Sequence, residues 1–147
     1  MRGIYLASVW LHVMAAMTWV GGMVTFVVMV LPFFRGQPES TRVAFLNWFG
    51  PRFETVSWIC LATLVMTGTF NLWARGVQPG DFVRSEWRAT SFGQLLQWKL
   101  ALVLLVTALS VTHARAGSKE HARWLGLALL VLSLAIVALA VSLVRAL

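Results

Sequence analysis

Apolar positions along the chain gather into four long runs separated by short polar stretches. Residues 4–31, 53–73, 92–113 and 124–144 are almost wholly apolar, and each reaches the ~20 residues an α-helix needs to cross ~30 Å of hydrocarbon. In lipid every backbone amide must be satisfied internally, and four strands cannot close a barrel, so the runs read as helices. The pattern predicts an all-α fold, an integral membrane four-helix bundle forming a single transmembrane domain over residues 1–147. Boundary residues agree. Pro32 follows the first run, Pro51 precedes the second, and Ala74-Arg75-Gly76 closes it. Pro79-Gly80-Asp81 marks a turn, Ser91 is placed to cap the third helix, and Gly117-Ser118 lies before the fourth. Residues 41–49, TRVAFLNWF, read as a short amphipathic segment lying on the membrane surface. The first run is too long for a signal peptide and lacks a small-x-small cleavage site.

Composition sharpens this picture. Only 12% of the 147 residues are charged, against about 25% in soluble domains. Eight tryptophans suit the lipid–water interface: Trp10, Trp73, Trp87 and Trp98 at one face, Trp48 and Trp124 at the other. The net charge of +7 sits in the loops, so the bilayer with its anionic headgroups is the expected partner and nucleic acid is not. A single cysteine, Cys60, excludes an internal disulfide and a cysteine-cluster metal site.

An even number of spans puts both termini on one side, together with residues 78–91. Basic residues divide almost equally between the two sides. The dense turn HARAGSKEHAR between the third and fourth runs points to the cytoplasm, which places the termini outside. A bacterial inner (cytoplasmic) membrane is the expected location.

His12 is the residue most in need of explanation. It lies within a run that carries no Asp, Glu, Lys or Arg, and an ionisable group inside a bilayer is a functional candidate. Neutral imidazole is a ligand for haem iron and copper; the alternative is an imidazole held by protein hydrogen bonds, with Ser8, Thr63 or Thr67 as partner. Depth follows from the ~1.5 Å rise per residue. His12 lies about 12 Å from the terminal side and Lys99 about 10 Å. Met66 and Thr67 of the second run fall at the same level. His113 is roughly 20 Å away from His12 along the membrane normal, so these two histidines cannot be the two axial ligands of one iron. A sixth ligand would have to be Lys99, Met66 or the histidine of a second copy. Lys99 also fits a snorkelling side chain. Met14, Met17 and Met66 form an alternative thioether path for Cu(I); methionine is equally a filler of apolar cores. Trp19 is too deep for either aromatic belt. His113 and His121 read as interfacial. Within the apolar runs there is no paired carboxylate, no Ser–His–Asp set at one depth and no phosphate loop, so hydrolytic and nucleotide-driven chemistry is unsupported.

The segment LHVMAAMTWVGGMVTF, with His12, Trp19 and Gly21-Gly22, resembles the first helix of the copper resistance protein D (CopD) family and of the related HemJ-type protoporphyrinogen oxidases. GQLLQWKLALVLLVTALSVTHAR, with Lys99 opening a Leu/Val-rich run, resembles their third helix. The resemblance covers about a third of the chain and implies a four-helix membrane bundle. On the HemJ side it implies haem b, with the residues matching His12 and Lys99 essential. On the CopD side it implies copper uptake or tolerance. After the glycine pair the chain reads VVMVLPFF, where HemJ-type proteins carry a polar Tyr/Arg/His stretch, which points away from porphyrinogen oxidation itself.

The expectation is a haem-b membrane protein of redox or electron-transfer function, a membrane oxidoreductase if it is an enzyme. His12 is the axial ligand, Lys99 a propionate partner or sixth ligand, and Arg75 and Arg88 further propionate partners. Trp19 and Met66 lie beside the cofactor. A quinone or redox partner and a homodimer go with that reading. The alternatives are a copper ion carried past His12, Met14, Met17 and Met66, and a cofactor-free accessory subunit.

Overall fold

The structure, a computed structural model, describes the backbone of residues 2–114 and 119–145 and the side chains of residues 2–113 and 123–143. The basic turn with His121 lies largely outside them. The fold is all-α, with four helices long and apolar enough to cross a membrane, as in a four-helix membrane bundle. Large apolar side chains such as Met17 (64% exposed), Met29 (67%) and Leu104 (72%) face outward. Hydrocarbon solvates such a surface and water does not.

The chain forms two compact units, Met1–Arg75 and Gly76–Leu147. In the first, α1 (Arg2–Thr25) packs against α2 (Glu39–Ala74). In the second, a short α3 (Ser85–Ala89) leads into α4 (Ser91–Ala114), which packs against α5 (Lys119–Arg145).

The spans agree with the apolar runs, but their ends do not. The first helix does not stop at Pro32. It passes through a π-helical turn, Phe26–Val30, where the Leu31 N–H bonds the Phe26 carbonyl five residues back. The wider turn leaves room for the ring of Pro32, which has no N–H to give. The helical path then continues to Gly36. The second helix does not begin after Pro51 either. Pro51 lies inside α2, and residues 41–49 are its opening turns rather than a separate surface piece. Phe45, Phe49 and Phe53 stack at i, i+4 spacing with centroids 5.3 and 5.4 Å apart, and Phe26 of α1 stacks on Phe49 at 5.4 Å. This aromatic face holds the helix together across the bond Pro51 cannot make. The Arg52 guanidinium adds a bond to the Trp48 carbonyl at 2.9 Å and lies over the Trp48 ring. At 36 residues, α2 is about 54 Å long, well beyond the hydrocarbon. Gly76, with φ +79°, ends it in the left-handed conformation glycine tolerates.

The start of α4 is capped by Thr90 rather than Ser91. Thr90 Oγ1 accepts the Gly93 N–H at 3.0 Å from an extended backbone. That bond needs Gly93 close in, where a Cβ would lie 2.2 Å from the Trp87 carbonyl oxygen. The core of this unit is Leu96, Val106, Leu129, Ser133 and Leu143.

Candidate functional site

Helical spacing puts Tyr5, Ser8, His12, Ala15 and Trp19 on one face of α1, at steps of three and four. Ser8, Ala15 and Trp19 are buried. On α2, Thr67, Asn71 and Arg75 recur every fourth residue. Two bonds set the register of the antiparallel pair. His12 Nδ1 lies 2.8 Å from Thr67 Oγ1, and Arg75 Nε donates to the Tyr5 hydroxyl at 2.9 Å. Between them, one turn from each, Ser8 and Asn71 come level. The α1–α2 seam is therefore polar from the Tyr5–Arg75 end inward to His12. Farther along it becomes aromatic, with an apolar groove of about 290 Å³ lined by Gly22, Phe26, Phe49 and Phe53 among others.

The His12–Thr67 bond determines the chemistry of the imidazole. Thr67 Oγ1 donates its single proton to the Thr63 carbonyl one turn back. It is therefore an acceptor toward the ring, and His12 Nδ1 must carry the proton. Nε2 is then the nitrogen with the lone pair. Gly68 sits against the ring, and a Cβ there would lie 3.3 Å from His12 Cε1. Thr67 and Gly68 thus hold the imidazole in one tautomer against the α2 backbone.

The other candidates are dispersed. Trp19 is 6% exposed, about two turns of α1 beyond His12 on the same face. Met66 adjoins Thr67 but is 73% exposed. Met14 and Met17 project roughly 160° and 140° around α1 from His12 at 100° per residue, and both are exposed. The structure does not bring these methionines onto the histidine face. Arg75 is exposed and holds Tyr5; Arg88 is exposed on α3, and Lys99 is half-buried on α4. Cys60 is buried. His113 lies near Gly126, where a Cβ would be 3.7 Å from its ring. Among the described residues no three of His, Cys, Asp and Glu come together.

Tyr5, Asn71 and Gly68 were not picked out by the sequence. A signal was present: Tyr5 is seven residues from His12, and Asn71 and Arg75 follow Thr67 at fours.

No family model matches the chain, and no solved structure matches it. An uncharacterized protein of Aquifex aeolicus (strain VF5) is 32% identical over 141 residues, covering 89% of this chain and 89% of its own length.

Proposed function

The chain belongs to one family with that Aquifex aeolicus protein, and we propose that it is a haem-b-binding integral membrane redox protein in which His12 Nε2 would hold the iron. The carrying observation is the Thr63–Thr67–His12 chain of hydrogen bonds. Metal-ligating histidines characteristically donate their other ring N–H to a protein acceptor, which fixes tautomer and orientation and raises ligand basicity. Thr67 does this here. Two features support a haem held by His12. The donor nitrogen is defined, and Gly68 admits the ring. Bound haem would supply one-electron exchange between its ferric and ferrous states, tuned by ligand identity and burial. His12 would hold the iron, and Thr67 would orient the ring. The likeness of the His12–Trp19–Gly21-Gly22 segment to HemJ-type and CopD first helices supports the same reading.

The copper reading is less favoured, because Met14 and Met17 point away from the His12 face. The decisive experiment is the absorption spectrum and metal content of detergent-purified protein. A Soret band that disappears in His12→Ala and persists in Thr67→Val, with haem affinity reduced about 10–100-fold, is the expected result. A colourless preparation containing copper would move the assignment to copper. A colourless, metal-free one would end both.

A further inference from the structure

Hydroxyls within the spans mostly bond the carbonyl one turn back, as Ser57, Thr63, Thr67 and Thr69 do on α2 and Thr107, Ser110 and Ser133 do in the second unit. Ser8 does not. The residue is only 9% exposed, and its Oγ is buried with no hydrogen-bond partner. Level with it on α2, Asn71 Oδ1 is buried and equally without a partner. These groups are complementary, since a hydroxyl donates and an amide oxygen accepts, yet they do not bond each other. Burying a polar group without a partner is costly. Where two such groups face one polar site, the usual resolution is a bound water with two to four protein contacts.

We propose that a water molecule is bound between α1 and α2 at the Ser8–Asn71 level, accepting from Ser8 Oγ and donating to Asn71 Oδ1. It lies between the Tyr5–Arg75 pair at one end of the seam and the His12–Thr67 pair one turn farther in. The water brings exchangeable protons to within one turn of His12. It does not depend on whether His12 binds a metal.

Water-edited solid-state NMR of the full chain in lipid bilayers tests this directly. Magnetisation from water should reach the Ser8 and Asn71 side chains. It should not reach Ser133, a buried hydroxyl that bonds the Leu129 carbonyl. In deuterated water the His12 Nδ1 proton should exchange, and the Ser8→Ala/Asn71→Leu double variant should slow that exchange by about tenfold or more. The wild-type spectrum is informative even if the double variant fails to fold. No transfer to Ser8 and Asn71, or transfer to Ser133 of equal strength, would overturn the proposal. A direct Ser8–Asn71 hydrogen bond in the spectrum, or unchanged exchange in a folded double variant, would overturn it as well.

Discussion

Each unit seats a histidine against a glycine of the neighbouring helix, and the two seats differ in a way that separates a held ring from one merely lodged. His12 meets Gly68 so closely that a Cβ would lie 3.3 Å from the ring, and its Nδ1 is engaged by Thr67 at 2.8 Å. His113 meets Gly126 at the looser distance of 3.7 Å, and its Nδ1 is buried with no partner among the described residues. The hydroxyls differ in the same sense. Those of Thr107, Ser110, Ser133 and Ser142 turn back onto their own helices. Thr67 turns back as well, and additionally takes a bond from across the seam. An intrahelical hydroxyl bond is compatible with any neighbour. A bond across the seam constrains which residues can stand opposite.

The sharpest way to break this contrast is to enlarge the glycines. Gly68→Val should drive the His12 ring away from Thr67, costing about 1–3 kcal/mol as an overpacked site and, on the proposed haem reading, abolishing the Soret band. Denaturant titration in mixed micelles measures the first effect and absorption the second. Next in size, Thr67→Val should cost about 1 kcal/mol through loss of the ring's acceptor, and Thr67→Ser should recover it. Equal stability of the two variants would mean that the cross-seam bond contributes nothing. In the second unit, Gly126→Ala meets only ordinary contact and Ser133→Ala removes only an intrahelical bond; each should shift stability by about 0.5 kcal/mol or less. Smallest of all, Tyr5→Phe removes the exposed bond from Arg75 and should change stability by a few tenths of a kcal/mol.

Spans were readable in the sequence because lipid imposes one strong requirement, about twenty apolar residues in a row. Their ends were less readable because proline reports only a missing donor, not what compensates for it. At Pro32 the compensation is a π-turn, and at Pro51 a stack of phenylalanines distributed over two helices. Thr67 could be matched to His12 from helical rise alone. Rise gives depth but not the rotation of a helix about its axis. That rotation turns Thr67 and Asn71 into the seam and leaves Met66 facing outward. Gly68 was illegible for a related reason. A glycine in an apolar run signals close approach without saying what approaches.

While the Thr67 hydroxyl commits its own proton to the Thr63 carbonyl, it can only accept from His12. Were α2 to unwind by a single turn at that point, the proton would be released and the imidazole would be free to invert, exchanging which nitrogen is basic. The electronic state of a ring on one helix is thereby tied to the backbone integrity of another, and a local unravelling of the second would be felt first as a change of donor atom on the first.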